Sequence, residues 1–200
     1  MSVARLLFIR HAEPDEWLRG RIYGRLDPGL SEHGNAHADA LAADLAREQI
    51  VAVYSSPLQR ARATAAPLAA RLGLEPLVEP ELRELDFGEL EGLTIAEAAD
   101  RYPVESGWML APGDAVFPGG ETVAALRARA IGAARAIAER HADATVAVFT
   151  HAVTIRAILA DALAMPPDAI FRLDQSYGGI SVVEWFDGNP FVRVVNAARL

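Results

Sequence analysis

Three short apolar runs punctuate the chain and have the pattern of strands buried on both faces of a sheet. These runs are Leu6–Ile9, Ile50–Tyr54 and Thr145–Phe149. A shorter strand is predicted around residues 76–79. Near the end of the chain, two apolar segments flank the turn residues 187–190, which predicts a hairpin of strands over 180–186 and 191–195.

Between these strands the apolar positions recur every three or four residues, which predicts amphipathic helices. Ser31 is suited to cap the first helix, Pro57 to occupy the first turn of the second, and Gly73 to end it. The predicted helices cover residues 32–48, 57–72, 94–101, 121–141 and 153–163. Residues 103–120 are rich in proline and glycine and are predicted to form a loop.

Strands that alternate with helices indicate an α/β fold. We expect a three-layer sandwich with a largely parallel, doubly wound sheet and helices on both faces. The length of 200 residues fits one domain. We expect residues 1–200 to form that domain, with residues 80–120 as an insertion over the active-site edge of the sheet.

Composition narrows the classes of protein that this chain can represent. It contains no cysteine, which excludes a disulfide framework, a thiolate nucleophile and a cysteine-ligated metal. Its net charge of −8 argues against a nucleic-acid-binding protein, and 52% hydrophobic residues exclude a disordered chain. No targeting segment or membrane-spanning stretch is visible, so we expect a cytoplasmic protein with neither nucleic acid nor membrane as a partner.

Basic side chains and imidazoles follow three of the predicted strands. Arg10 and His11 follow the first, Arg60 lies soon after the second, and His151 follows the strand that ends at Phe149. Ligands of open α/β sheets bind beyond the carboxyl ends of the strands. These four residues therefore predict an anion pocket, with guanidinium groups suited to phosphate and imidazoles within reach.

Each of these residues also has a structural interpretation. A histidine at a strand end is by itself more often a hydrogen-bonded structural residue, and Arg60 alone resembles a charge on a helix surface. Taken together, one neutral imidazole can attack phosphorus while the other, protonated, stabilises the transferring oxygens. The alternative is a metal site made by both histidines with Glu13 or Asp86, which the two flanking arginines disfavour.

Six ordered blocks of sequence resemble the histidine phosphatase superfamily, which includes cofactor-dependent phosphoglycerate mutase. The resemblance extends over nearly the whole chain. The blocks are Leu7–Glu13, Gly24–Gly34, Ser55–Ala65, Leu82–Gly92, Pro118–Thr122 and Val148–Ala152.

The resemblance implies a role for each matched residue. His11 would be the nucleophile that forms a phosphohistidine, and Arg10, Arg60 and His151 would hold the phosphoryl oxygens. Glu84 would protonate the leaving oxygen and then activate water. Only the family match selects Glu84 over the neighbouring glutamates, which are Glu81, Glu89 and Glu91.

The same resemblance implies several residues that bind substrate. Gly24 would approach the substrate through its backbone, Tyr23 and Arg25 would line the entrance, and Ala152 would also belong to the substrate-binding residues. Ala152 also marks a departure, because mutases have glycine there. A further departure is Trp17, which stands where many relatives have asparagine and is expected to narrow or cover the pocket.

These observations favour a metal-independent phosphatase without a cofactor, acting on a small phosphorylated metabolite. A mutase must retain and reorient its product, and residues 103–120 lack the basic side chains for that task. The block around Glu84 resembles α-ribazole phosphatases and broad-specificity phosphatases. A phosphoglycerate mutase-type phosphotransferase and a non-catalytic binding protein on the same fold are the alternatives, and the physiological substrate and oligomeric state stay open.

Overall fold

The computed structural model describes residues 2–103, 107 and 115–200. Part of the predicted loop over 103–120 thus lies outside the described residues. Within these described ranges, six strands form one sheet: β1 (Val3–Arg10), β2 (Ile50–Ser55), β3 (Leu77–Val78), β4 (Thr145–Thr150), β5 (Ile180–Phe186) and β6 (Asn189–Ala197). The α-helices of the described residues are α1 (Glu32–Leu45), α2 (Gln59–Leu72), α3 (Ile95–Arg101), α4 (Val123–Arg140) and α5 (Ala152–Ala162).

The strand order is β3-β2-β4-β1-β5-β6. The first four strands of this order are parallel, while β5 and β6 run antiparallel at one edge. The prediction of a largely parallel sheet is therefore confirmed, and the antiparallel edge is the predicted hairpin. The hairpin turn is tighter than expected, since β6 already begins at Asn189.

Helices cover both faces of the sheet, which confirms the three-layer arrangement. Alternate residues of β1 point to opposite faces, as strand geometry requires. Leu6 and Phe8 belong to the apolar core that includes residues of α4 and α5, whereas Leu7 and Ile9 belong to the core that includes residues of α1 and α2. Burial on both faces explains why the strand reads as one continuous apolar run.

The ends of the helices follow from capping. The Ser31 side chain accepts a hydrogen bond from the backbone N–H of Gly34, as predicted, and Gly73 ends α2 in the left-handed conformation. The prediction that Pro57 lies in the first turn of α2 is wrong. Leu58 is still extended, and α2 begins at Gln59, whose backbone N–H donates to the carboxylate of Asp27.

A third apolar cluster lies beside the end of the sheet where β1 and β4 terminate. It joins side chains of the segment from Leu85 to Leu126 to those of α5, among them Phe87, Phe117 and Val153. The prediction that residues 80–120 are an insertion over this edge stays a prediction. In the described part of the chain, no helix is long and apolar enough to cross a membrane.

Candidate active site

The strand register brings the predicted site residues to one edge of the sheet. Arg10 of β1 pairs with Thr150 of β4, and Ser55 of β2 pairs with Phe149. The residues that follow the three strand ends are His11, Ser56 and His151, and all three are buried. His11 and His151 consequently lie with their ring centroids 5.2 Å apart.

His11 is held in one tautomer by its neighbours. Its Nδ1 lies 2.8 Å from the carbonyl oxygen of Ala12, which can only accept a hydrogen bond. Arg60 Nε, which can only donate, lies 3.3 Å from the other ring nitrogen, Nε2. The proton of a neutral His11 therefore sits on Nδ1, and Nε2 carries the lone pair that a nucleophile needs.

Burial lowers the pKa of both histidines well below the usual value. After burial, the charges of Arg60 and then Arg10 lower the pKa of His11 further. The pKa of His151 is lowered further by Arg60, then by His11 and Arg10. Both imidazoles are thus neutral at neutral pH in the free protein. In this state burial and the surrounding guanidinium groups oppose a positive charge on His151. That the second imidazole is protonated while it stabilises the transferring oxygens stays a prediction.

Within the described part of the chain, one ring nitrogen of His151 has a hydrogen-bond partner and the other has none. Its Nε2 lies 2.7 Å from Ser56 Oγ, and that oxygen accepts the backbone N–H of Leu58. The Ser56 hydroxyl proton is then available for Nε2, which favours the tautomer with its proton on Nδ1. Nδ1 is buried and has no hydrogen-bond partner among the described residues.

Arg60 is fully buried behind His11. Its terminal nitrogens donate to the backbone carbonyls of Leu26, at 2.6 Å, and Gly24, at 2.8 Å. Burial lowers the pKa of Arg60, an effect opposed by the charge of Glu84, yet a guanidinium stays protonated in proteins. The loop 24–26 therefore aims a permanent positive charge at His11 Nε2.

Two tyrosines hold Arg10 at the mouth of the site. The guanidinium carbon of Arg10 lies 4.0 Å from the ring centroid of Tyr177, and its NH2 is 3.4 Å from the hydroxyl of Tyr23. The two tyrosine hydroxyls are 2.9 Å apart. Burial raises the pKa of Tyr23, so its hydroxyl remains protonated. Arg10 Nε is buried without a partner among the described residues.

A cavity of about 180 Å³ opens beside His11. It is lined by Arg10, His11, Arg21, Ile22, Tyr23, Glu84, Phe87, Ile95, Ala152, Val153, Arg156 and Phe171. Larger clefts occur elsewhere, for example one of about 380 Å³ near Trp185, which contains none of the residues predicted for the site. The chemistry, rather than the size, therefore identifies the cavity at His11 as the candidate active site.

Glu84 is the carboxylate that shares this cavity with His11. Its oxygens accept the backbone N–H groups of Leu85, Val153 and Thr154, the last two at the start of α5, and the hydroxyl of Thr154. The positive end of a helix and these donors stabilise negative charge at this position. On its other side, Arg129 of α4 donates to the backbone carbonyls of Arg83 and Glu84.

The other three glutamates considered from the sequence have different partners. Glu81 lies 3.5 Å from the Arg83 guanidinium, and Glu89 accepts the hydroxyl of Tyr102. Glu91 accepts four backbone N–H groups instead. The donors are Gly24, Arg25, Leu26 and Phe87. Glu91 thus holds the loop whose carbonyls orient Arg60.

Gly24 is required by this packing. A Cβ atom built on it would lie 1.6 Å from the carbonyl oxygen of Leu85, so no other residue fits without moving the backbone. Its N–H donates to Glu91 and its carbonyl accepts from Arg60. The backbone of Gly24 therefore serves the scaffold of the site, and its contact with substrate stays a prediction.

We expect the substitution Glu91→Gln to lower the free energy of unfolding by about 1–3 kcal/mol. The four backbone N–H groups now donate to two carboxylate oxygens, whereas an amide offers them only one oxygen. Urea unfolding of the purified variant measures this difference. Glu89→Gln is the matched control, since Glu89 lies in the same segment and accepts the side chain of Tyr102. A loss no larger than in that control would show that Glu91 does not secure the loop.

Two other residues predicted from the sequence, Arg25 and Trp17, are absent from the lining of the cavity. The Arg25 side chain is 72% exposed and pairs with Asp86 at 3.3 Å, and its role at the entrance stays a prediction. Trp17 is 52% exposed and is absent from the lining of the cavity. The expectation that Trp17 narrows the pocket is therefore wrong, because the Asp15-capped turn at residues 16–18 carries its side chain outward.

The acids considered for a metal site have other partners. Glu13 accepts the hydroxyl of Ser31 and lies 3.6 Å from Arg19, while Asp86 pairs with Arg25. Within residues 2–103, 107 and 115–200, no group of three or more metal-ligating side chains comes together.

Sequence reasoning missed four residues of the site. Ser56 and Glu91 lie inside matched blocks, but the sequence assigned neither of them a part in holding the site. Arg156 follows Ala152 by four residues on α5, a spacing that places both on one helix face and could have found it. Tyr177 lies in an irregular segment with no periodic pattern, and nothing in the sequence pointed to it.

Comparison with known proteins identifies the class. The family model for the histidine phosphatase superfamily (branch 1) matches residues 6–198. The chain belongs to this superfamily, which confirms the resemblance seen in the sequence.

Individual relatives support a phosphatase. Phosphoserine phosphatase 1 of Hydrogenobacter thermophilus is 37% identical over 157 residues, which are 78% of this chain and 74% of that protein. A bifunctional protein of Mycobacterium tuberculosis is 39% identical over 96% of this chain, which spans about half (53%) of that protein. A solved mycobacterial glucosyl-3-phosphoglycerate phosphatase superposes with a TM-score of 0.88 at 28% identity, covering 98% of this chain and 99% of that one.

Proposed function

We propose that this protein hydrolyses phosphomonoesters without a metal ion, through a phosphohistidine formed on His11. The observation that carries the proposal is the environment of His11: a neutral imidazole with its proton on Nδ1 and its Nε2 lone pair beside Arg60, in one cavity with Glu84. A neutral nitrogen nucleophile, an acid and a cluster of cations are the groups that phosphoryl transfer to histidine requires.

In the first step His11 Nε2 attacks phosphorus, and the bond from phosphorus to the alcohol oxygen breaks. The Nε–H of Arg60, which donates to His11 Nε2 in the free protein, now donates to a phosphoryl oxygen. Arg10 Nε and His151 Nδ1 supply further donors that have no protein partner among the described residues. These fixed charges stabilise the transferring group without reorganisation. Glu84, protonated beside the dianionic phosphate, gives its proton to the leaving oxygen.

In the second step water attacks the phosphohistidine. The Glu84 carboxylate accepts a proton from this water as the bond from phosphorus to Nε2 breaks. The electron pair of that bond returns to His11 Nε2, and inorganic phosphate leaves. Glu84 is then ready to act as the acid again. The backbone donors of Val153 and Thr154 support the anionic form that this step needs.

The substrate that we propose is a small phosphorylated metabolite. The cavity volume of about 180 Å³ leaves room for a small alcohol beside the phosphate. The similarity to a phosphoserine phosphatase and to a glucosyl-3-phosphoglycerate phosphatase supports the same conclusion. The absence of basic side chains from residues 103–120 favours hydrolysis over the mutase reaction.

The test is an assay of the purified protein with 3-phosphoglycerate and with nitrophenyl phosphate, before and after exhaustive treatment with a metal chelator. We expect release of inorganic phosphate from both compounds, at rates that chelation leaves unchanged, and negligible formation of 2-phosphoglycerate even with bisphosphate primer. Activity lost on chelation and restored by one divalent ion would contradict the metal-independent mechanism. Isomerisation faster than hydrolysis would favour the mutase alternative.

A further inference from the structure

Positive charge in and around the cavity exceeds what one phosphoryl group needs. Arg10, Arg60 and Arg156 are three guanidinium groups with no carboxylate oxygen within 4.0 Å among the described residues. Partly buried like charges destabilise a fold unless an anion offsets them. In the mechanism above the phosphoryl group engages Arg10 and Arg60, which leaves the charge of Arg156 unassigned.

Arg156 is built into the wall of the cavity. It lies on α5, its Nε donates to the backbone carbonyl of Leu173 at 2.6 Å, and its guanidinium carbon is 5.4 Å from the ring centroid of Phe171. These contacts fix the plane of the guanidinium. They use Nε and leave both terminal nitrogens without a hydrogen-bond partner in the part of the chain that the structure describes.

The surroundings of Arg156 distinguish it from Arg21, another basic residue of the cavity wall. Arg21 donates to the carbonyl of Gly92 at 2.8 Å and lies 3.8 Å from Glu97, so its charge is already balanced. The rest of the wall is largely apolar, with Ile22 and Phe87 among its residues. The charges of Glu84 and Asp174 favour the charged form of Arg156 from a distance, but neither carboxylate pairs with it in the described residues. An anion in this part of the cavity would therefore meet one fixed cation with free terminal nitrogens.

We infer that Arg156 binds a carboxylate on the leaving alcohol, so that the preferred substrates are phosphomonoesters of small hydroxy acids. This inference rests on the proposed hydrolysis at His11. Two parallel N–H groups of one guanidinium match the two oxygens of a carboxylate. Because Arg156 and Glu84 line the same cavity, such a contact places the alcohol oxygen on the side of the acid that protonates it.

The substrate pair for the test is 3-phosphoglycerate and glycerol 3-phosphate, which differ only in a carboxylate and a hydroxymethyl group. We expect the wild-type protein to favour 3-phosphoglycerate in kcat/KM, and Arg156→Gln to reduce this preference roughly 10- to 100-fold. Arg156→Lys should retain part of it, because the charge remains. The matched control is Arg172→Gln, an exposed arginine outside the cavity lining, which should keep the wild-type ratio.

A binding measurement separates this inference from the proposed function. In the His11→Ala background, titration calorimetry should show tighter binding of 3-phosphoglycerate than of glycerol 3-phosphate, and Arg156→Gln should remove the difference. If the wild-type protein released phosphate from neither ester nor from nitrophenyl phosphate, the proposed function would be wrong, and the calorimetry would still decide the carboxylate contact. Equal binding of the two esters, or a preference that survives Arg156→Gln, would overturn the inference.

Discussion

Replacing His11 with alanine should reduce the turnover of nitrophenyl phosphate by roughly 10⁴-fold or more, because the reaction loses the atom that attacks phosphorus. The remaining cations can bind the phosphate but cannot form the intermediate. The matched control is His33→Ala, an exposed histidine on α1, which should retain wild-type turnover. Thermal unfolding of both variants verifies that each is folded.

The same assignment predicts where a trapped phosphoryl group resides. Brief quenching of the wild-type protein with a labelled phosphate ester should leave a label on His11 that is stable in base and labile in acid. The His11→Ala variant should take up none. Label on serine or aspartate, or on His151 alone, would show that His11 is not the nucleophile.

The substitution Glu84→Gln should slow phosphorylation of His11 by alkyl phosphates roughly 10²- to 10⁴-fold, and by nitrophenyl phosphate much less. An alkoxide leaves poorly unless it gains a proton as the bond breaks, whereas nitrophenolate leaves without one. The amide also turns an NH₂ group either toward the N–H donor of Val153 or toward those of Leu85 and Thr154, which costs stability. The ratio of the phosphorylation rates with the two substrates is insensitive to that loss of stability.

Single-turnover kinetics is the appropriate measurement for Glu84→Gln. Slow hydrolysis of the phosphohistidine, which also depends on Glu84, hides the difference between substrates at steady state. Glu81→Gln is the control, because Glu81 pairs with Arg83 outside the cavity. Equal losses for the two substrates would exclude Glu84 as the acid that protonates the leaving group.

Much of the site was predictable because parallel strands end at a common edge. Once Arg10-His11, Ser55-Ser56 and Thr150-His151 are recognised as strand ends, their proximity follows without any side-chain geometry. The same local logic located the cap at Ser31 and the end of α2 at Gly73. It failed at Pro57, where a carboxylate from a distant loop sets the first turn.

The choice among the four glutamates depended on contacts between distant parts of the chain. Residues 81–91 contain no pattern that distinguishes an acid aimed at His11 from one that holds a loop. Glu84 meets the start of α5, 69 and 70 residues further along, while Glu91 meets backbone N–H groups 65 to 67 residues earlier. Every residue except proline has a backbone N–H, so the sequence does not show which of these groups will meet a carboxylate. Only the folded chain separates these two roles.

The sequence by itself therefore determined the α/β alternation, the edge of the sheet where chemistry occurs and the set of cations and imidazoles gathered there, because these depend on local periodicity and on strand direction. Tertiary structure alone decided the tautomer of His11, the neutral state of His151 and the outward position of Trp17. It also decided that Arg156 faces the cavity without a carboxylate partner among the described residues. These properties depend on burial and on distances of a few ångströms between residues far apart in the chain, which no local pattern encodes.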